Sequence, residues 1–423
     1  LAELPEEFEA GVWLSATTHL SSDQLGYADQ NVELGELADF KRFMEAPSQG
    51  SVLFTGQPIE NGRTAGVSLP ILDELKHAAD ARGIPVILEA DGSRRLPLKA
   101  PASHEPVIPA WVDQVVVVAG LSALGKPLTQ TYVHRPEIFA QLSGLSMGEE
   151  ISREALARVL INPSGGLKGI PEHARRVLLL NQARSTEQQA AGYWIATQLQ
   201  DVYQAVILAQ LQPPVGSGEI LAVHERVAGV VLAAGASTRL GRPKQLLPWR
   251  NRPLVYHAAR IGLQAGLSPM IVVTGSSGQE VAREIERLPV KVVDNPAWSE
   301  GQSSSVIAAV KALPDDVGAV VFLLSDQPLI PADLVRDLAA LHAESLAPIV
   351  APLIQGKRAN PVLFDRKLFP ELSLLSGDKG GRDLFSRYAV KWLEWHEAGV
   401  DLDIDTDEDY QRLISYELDN REK

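Results

Sequence analysis

The stretch VVLAAGASTRLGRPKQLLPW, residues 230–249, carries an apolar run into a loop of small side chains and then past two cations. Val230 to Ala233 read as a buried strand. Ala233, Ala234 and Gly235 let backbone N–H groups come close to a ligand, while Arg239 and Lys244 offer one forked and one point-like cation to a polyphosphate. Ser237 and Gly241 fall between them. On its own, the loop reads equally well as an ordinary turn with two solvated cations. A second stretch, VVFLLSDQPLI, residues 320–330, sets Asp326 at a strand end. Taken singly, Asp326 reads equally as the cap of the following helix. The two stretches together point elsewhere, because a doubly wound sheet opens its ligand crevice at such strand ends. A carboxylate at one end and a cationic loop at another suit a metal-bound nucleotide, since Mg2+ takes one or two carboxylates together with phosphate oxygens and water.

Outward from these stretches, short β-branched runs alternate with helical patterns along the whole chain, the pattern of parallel sheets covered by helices. The fold class is therefore α/β, with two doubly wound, Rossmann-like domains. A length of 423 residues agrees with two or three domains of about 150 residues each. In the second half the expected order is strand 228–233, helix 254–264, strand 270–274, helix 279–287, strand 291–293, helix 304–313 and strand 319–324. The first half offers strands at 12–15, 52–55, 85–89, 114–119, 177–181 and 203–209, with helices at 69–82 and 186–199. LQPPVGSGE, residues 211–219, punctuates the chain with proline, glycine and serine. The domains are placed at 1–210 and 227–423, with 211–226 as linker.

Composition narrows the function classes. Lys plus Arg is 39 against 53 Asp plus Glu, a net charge of −14, and no long basic run interrupts it. Such a surface repels nucleic acid and anionic membranes. No apolar stretch reaches the roughly 20 residues of a membrane helix, so neither a nucleic-acid nor a membrane partner is expected. The absence of cysteine removes disulfides, thiolate zinc sites and a cysteine nucleophile, and fits a cytoplasmic location. No histidine pair has metal-ligand spacing, which argues against zinc. The opening, LAELPEEFEAGVWLS, lacks an initiator Met and reads as the end of one helix entering a strand, as though a beginning were missing.

From residues 228 to 413 the chain resembles the MobA-like nucleotidyltransferases, and more closely the molybdenum cofactor cytidylyltransferases. The resemblance rests on Leu232, Ala233, Ala234, Gly235, Ser237, Arg239, Gly241 and Lys244 in the first loop, and on Asp326-Gln327-Pro328 in the second. It extends to Asn295, Trp298, Gly301 and Ser304 in NPAWSEGQSSSV, to Asn360 and Pro361 in GKRANPVLFD, and to GDKGGRDLF at residues 377–385. Ala359 stands where family members often have glycine. The resemblance implies a nucleotide-diphospho-sugar-transferase-like fold and Mg2+-dependent transfer of CMP from CTP to the terminal phosphate of molybdopterin or the molybdenum cofactor. GTP is the second choice of nucleotide.

By the same resemblance Arg239, Lys244 and Asp326 are catalytic, and the other loop residues, with Gly301 and Ser304, bind nucleotide. Asp326 and Asp405 hold the metal, and Asn360, Asp378 and Arg382 face the pterin. DLDIDTDEDY, residues 401–410, first reads as a solvated acidic run before a helix capped by Thr406 or Asp407; Asp403 is given no role. Two alternatives remain open: a sugar- or alcohol-phosphate nucleotidyltransferase, and a non-catalytic cofactor carrier or insertion chaperone.

The first half contains two decoys. Gly120 to Lys126 has Walker-like spacing that Pro127 breaks, since proline brings neither hydroxyl nor N–H. Asn181-Gln182-Ala183-Arg184 only approximates a guanine-reading motif. LEADGSRRLPLKAPASHEPVIP, residues 88–109, is denser in reactive side chains, with Asp91, Arg95, Lys99, His104 and Glu105. A pairing of His104 with Glu105 and a solvated Lys99 is the bland alternative. With His19 in Thr17-Thr18-His19 and with His134-Arg135, this stretch resembles the selenium-dependent hydroxylase accessory (YqeC-like) family. The resemblance covers about residues 8 to 208 and implies a molybdenum hydroxylase apoenzyme as partner. That family usually begins with a Gly-Lys-Thr phosphate loop, which the sequence does not contain upstream.

Overall fold

The computed structural model describes residues 11–45, 50–211, 218–237, 240–377, 380–397 and 399–421. The chain divides into two compact units, residues 1–221 and 222–423. Among the described residues no helix is long and apolar enough to cross a membrane.

In the first unit β1 (Val12–Ala16), β2 (Gln30–Glu33), β3 (Ser51–Thr55) and β4 (Val86–Glu89) form a parallel sheet in the order β2-β3-β1-β4. Helices α1 (Leu37–Glu45) and α2 (Leu69–Asp80) supply Phe40, Ile71, Leu72 and Leu75 to a core with Trp13 and Phe54. A separate parallel sheet joins β5 (Gln114–Gly120), β6 (Arg175–Asn181) and β7 (Ala205–Gln210) in the order β5-β6-β7. Helices α3 (Pro136–Ser143), α4 (Arg153–Ile161) and α5 (Thr186–Leu199) lie between those strands in sequence. The unit is thus α/β with parallel strands as expected, but they are shared between two sheets.

The second unit runs β8 (Glu219–Ala233), α6 (Leu254–Gln264), β9 (Met270–Thr274), α7 (Gly278–Ile285), β10 (Lys291–Asp294), α8 (Gln302–Lys311) and β11 (Val317–Leu324). It continues with α9 (Ala332–Ser345), β12 (Ile349–Ile354), β13 (Val362–Asp365), α10 (Phe369–Ser373), β14 (Val390–Trp395) and α11 (Asp407–Arg421). Within it the strand order is β10-β9-β8-β11-β13-β12-β14. Strands β8 to β11 are mutually parallel, and β13 alone runs against its two neighbours. Val230, Val231, Val272, Val320 and Val321 are fully buried between cores on the two faces, each worth about 1.5–3 kcal/mol. The connection from β8 goes first to β9 on one side and later to β11 on the other. Their carboxyl ends therefore form the switch point at which such sheets bind ligands.

Residues 219–226, expected as linker, belong instead to β8. The turn-forming residues end at Gly218, and Ile220, Leu221, Val223 and Val227 favour extended backbone. Helix α8 begins at Gln302, two residues before the expected 304, because Gly301 adopts φ 111° and ψ 174°, which only glycine takes readily and which starts the turn there.

His224 on β8 is pushed down to about 4 by loss of solvent. It is neutral in the fold and near 6.5 when unfolded, so the unfolded chain takes up the proton first. That stability is present above pH 6.5 and is lost as pH falls toward 4. The loss by pH 5 is about 2 kcal/mol, read as a lower urea midpoint than at pH 7.5, and His224→Gln is expected to reduce the drop. An equal drop in both proteins would place the acid sensitivity elsewhere.

Candidate active site

Beyond Ala233 the chain turns back on itself. The Ala234 carbonyl accepts from the Ser276 N–H at 3.2 Å, and the Gly235 carbonyl accepts from Gln245 Nε2 and Ser276 Oγ, each at 3.2 Å. A side chain at Gly235 would meet nothing within 4 Å, so the loop faces open space there. Ser237 takes φ 53° and its hydroxyl accepts the Lys244 N–H at 2.9 Å while donating to Gln245 Oε1 at 3.3 Å. Gly241, at φ 68°, completes the turn with backbone that glycine adopts without strain. Gln245, 1% exposed, is the strut between the two halves of the loop. Sequence reasoning missed it because a polar residue next to Lys244 looks solvated.

The Lys244 ammonium donates to Asp326 Oδ2 and to Asp405 Oδ1, the latter at 2.8 Å. Burial would lower this lysine, but the carboxylates of Asp326 and Asp405 outweigh it and hold it above the usual lysine value. Asp326 is largely buried at the end of β11, and Asp405 is about half open to solvent. Their meeting follows from local structure. The Asp326 carbonyl accepts from Ile404 N–H at 3.1 Å, while Thr406 and Asp409 form a reciprocal cap at the start of α11. Arg242 pairs with Asp407 at 2.8 Å and Tyr410 Oη donates to the Pro248 carbonyl, which ties α11 to the loop. Asp403, given no role from sequence, accepts from Gln327 Nε2 at 2.8 Å. Its carboxyl is pushed up to about 6 by loss of solvent and then by the charge of Asp326. Gln327 Oε1 is buried with no partner among the described residues.

Two carboxylates thus converge on one cation position, held by an ammonium. Among the described residues no three acidic or histidine side chains cluster as a complete metal cage. The donor set fits Mg2+, which takes few protein carboxylates and completes its shell with phosphate oxygens and water. Zinc, which wants three or four protein ligands, does not fit.

The other expected residues fall into three groups. Leu232 and Ala233 end β8, with Ser325 N–H donating to the Leu232 carbonyl at 3.4 Å. Gly301 and Ser304 build the start of α8: Ser304 Oγ donates to the Gly301 carbonyl and accepts from buried Asn295, both at 2.8 Å. Trp298 packs against Gly275, where any Cβ would lie 2.7 Å from the Trp298 Cβ. Asn360 stands just before β13 and Arg382 is exposed on the turn 380–386. Arg239 and Asp378 lie outside the described residues.

In the first unit the structure gathers Asp91, Lys99 and Glu105 with Arg135. Lys99 donates to Asp91, to the Gly92 carbonyl at 2.8 Å and to Glu105 at 2.9 Å. Arg135 grips Glu105 through both forks at 2.6 and 2.9 Å. Glu105 is held at about 2: its desolvation is outweighed by these two cations. His104 stands 3.8 Å from Glu105, so the expected pairing is secondary to Arg135 and Lys99. Lys99 is not solvated, and loss of solvent lowers its pKa. His19 is exposed, and Arg95 pairs with Asp23 at the surface; among the described residues neither joins the hydrogen bonds and ion pairs of this network. The Walker-like loop is no phosphate cradle. Its Gly125 and Lys126 N–H groups are spent on the Ile151 and Ala123 carbonyls, and Leu121 and Ala123 are fully buried.

Residues 229–392 match the family described as MobA-like NTP transferase domain, and residues 1–137 match the family described as YqeC protein. Nicotine blue oxidoreductase of Paenarthrobacter nicotinovorans is 33% identical over 198 residues, 44% of this chain and 96% of that protein. YqeC of Escherichia coli (strain K12) is 32% identical over 164 residues, 38% of this chain, and the match spans 63% of that protein's length. Molybdenum cofactor cytidylyltransferase of the same strain is 28% identical over 193 residues, 43% of this chain and 92% of that protein.

Proposed function

The chain belongs to the MobA-like NTP transferase family, with a YqeC domain ahead of that transferase domain, and from this premise we propose that it transfers CMP from CTP to the terminal phosphate of molybdopterin or its molybdenum-loaded form. The observation that carries the reading is the convergence of Lys244, Asp326 and Asp405 at the switch point of the sheet. Mg2+, when bound by Asp326 and Asp405, supplies neutralising charge to the triphosphate. Lys244 then turns from the carboxylates to a phosphate oxygen, and Arg239 takes another. The loop from Ala234 to Gly241 fixes the α-phosphorus for in-line attack. The acceptor phosphate is already ionised, so no general base is needed; its oxygen bonds to the α-phosphorus as the bond to pyrophosphate breaks. Delivery to a molybdenum hydroxylase apoenzyme is the role that the YqeC domain supports.

CTP is expected to be preferred over GTP, on the strength of Ala233-Ala234-Gly235 and of Gln327 after Asp326. The test offers CTP, GTP and ATP separately with Mg2+ and molybdopterin, and measures pyrophosphate and dinucleotide. Equal or faster turnover with GTP would reject the base preference. The relative named as an oxidoreductase favours a second reading, electron transfer to a small substrate; substrate reduction without pyrophosphate release would support it. Dinucleotide held without turnover would support a carrier.

A further inference from the structure

The carboxyl ends of β1 and β4 form a second crevice, in the first unit. From β1 the chain goes to β2 and β3 on one side, and β4 joins β1 on the other, so this is a switch point by the same rule as in the second unit. The Thr17 N–H donates to the Glu89 carbonyl at 3.0 Å and ties the two strand ends together. Residues 90–109 are pinned beside them: Thr17 Oγ1 donates to the Val107 carbonyl at 2.7 Å, and Leu98–Lys99 pairs with Val133–His134.

Glu89, the last residue of β4, is half-buried and held at one oxygen only. Its Oε2 accepts from Gln24 Nε2 at 2.7 Å, and Gln24 Oε1 accepts the Ser21 N–H at 2.9 Å, which fixes the way round the amide stands. Lys99 is not available to the other oxygen, because its three N–H groups are taken by Asp91, the Gly92 carbonyl and Glu105. Among the described residues Glu89 Oε1 accepts from nothing. A Cβ at Gly92 would stand 3.5 Å from it and meet no other atom within 4 Å. The oxygen therefore looks into space that glycine keeps clear. Burial raises the pKa of this carboxyl, and a hydrogen bond to the free oxygen offsets that cost.

Donors follow along the chain. Lys99 fixes the Gly92 carbonyl, and a trans peptide sets N–H opposite C=O, so the Ser93 N–H points away from Lys99. Neither that N–H nor the Ser93 hydroxyl has an acceptor among the described residues. The turn from Ser93 to Leu96, closed by a 3.1 Å bond, sets Arg94 at φ 55° and Arg95 at φ 62°. Turns with two left-handed central residues ordinarily carry Asn-Gly, and backbone strain of this kind collects at ligand sites. Arg95 is taken by Asp23 at the surface. Arg94 is exposed and has no acceptor among the described residues.

We propose that this crevice binds a phosphorylated sugar or polyol: Ser93 and Arg94 hold the phosphate, and Glu89 Oε1 accepts a hydroxyl of the same molecule. Three donor groups, one of them a fork, suit the three terminal oxygens of a phosphate ester better than the two of a carboxylate. The free carboxylate oxygen then selects a ligand with a hydroxyl near its phosphate. The site lies wholly in the first unit and stands or falls apart from the transfer reading.

The experiment titrates glycerol 3-phosphate, ribose 5-phosphate and inorganic phosphate calorimetrically into the full chain without divalent metal, and into Glu89→Gln, Gly92→Ala, Arg94→Gln and Arg42→Gln. Gly92 lies outside the left-handed region and 3.5 Å is ordinary contact, so Gly92→Ala should fold; melting curves check every variant. A hydrogen bond to a charged group is worth a factor of about ten or more. Wild type should therefore bind at least one ester about tenfold more tightly than inorganic phosphate. Glu89→Gln and Gly92→Ala should each erase that advantage and leave inorganic phosphate within about twofold. Arg94→Gln should weaken esters and phosphate alike, about tenfold. Arg42, an exposed arginine on α1 of the same unit, is the control for surface charge, and its variant should match wild type. Esters that bind no more tightly than phosphate, or not at all, overturn the proposal. So does an advantage that survives Glu89→Gln or Gly92→Ala, or an affinity that Arg94→Gln leaves unchanged.

Discussion

Asp326→Ala is expected to fold and to lose more than about 10³ in transfer rate. Removing one preorganised electrostatic partner typically costs about 10² to 10³, and Asp326 plays two such parts: it is the more buried of the two metal candidates and the partner of Lys244. The fold should survive for three reasons. The backbone bond from Ile404 N–H to the residue 326 carbonyl remains, the strand before it is buried through its own apolar side chains, and Lys244 keeps Asp405. The competing reading, a helix cap worth about 1 kcal/mol, meets an obstacle in the structure, since α9 starts at Ala332 after Pro331, well beyond Asp326. Far-ultraviolet circular dichroism and a melting curve establish folding, and pyrophosphate release with saturating Mg2+ reads the rate. A folded variant that releases pyrophosphate at near-normal rate would remove Asp326 from the metal site and move the carrier reading forward.

The strands that frame this site could be read from sequence because parallel strands covered on both faces are continuous apolar runs. VVFLL in β11 and MIVVT in β9 leave no other placement for so many buried β-branched side chains. Helix α6 shows its apolar stripe between clear stops and was expected at the residues where it lies. Strand β13 was not expected: four residues, VLFD, whose antiparallel pairing is set by β11 and β12 and by nothing local. The two loop stretches singled out Lys244 and Asp326, and the family resemblance added Asp405, yet their contact joins positions 82 and 161 residues apart, which only the fold can bring together. Asp403 was passed over because an acidic run reads as solvated, although one of its carboxylates turns back to Gln327. In the first unit, Arg135 could not be placed beside Glu105 in advance. Its left-handed backbone at φ 64° and the parallel pairing of Val133–His134 with Leu98–Lys99 are tertiary features with no periodic trace.

Replacing Lys244 with methionine should separate the lysine's two duties. Transfer should fall by about 10² to 10³, the loss of one preorganised cation at the developing phosphate charge. Divalent metal binding without nucleotide should move the other way. In the free protein the ammonium sits on Asp326 and Asp405, so a metal ion arriving alone must displace it, whereas nucleotide gives Lys244 other oxygens to hold. Methionine keeps an unbranched chain of similar reach without the charge, and leaves two carboxylates whose mutual repulsion a cation relieves. Mn2+ titrated into apo protein and followed by electron paramagnetic resonance should therefore bind Lys244→Met about tenfold more tightly than wild type, a difference of about 1.4 kcal/mol. Mn2+ should also raise the variant's melting temperature by more, since a ligand stabilises the state it binds. Adding Asp326→Ala to the same protein should abolish both gains, which ties them to this pair of carboxylates and not to the acidic surface. Mn2+ affinity unchanged by Lys244→Met would mean that the ammonium and the metal do not compete, and the two carboxylates would then have to be assigned to holding the lysine in place for the phosphates.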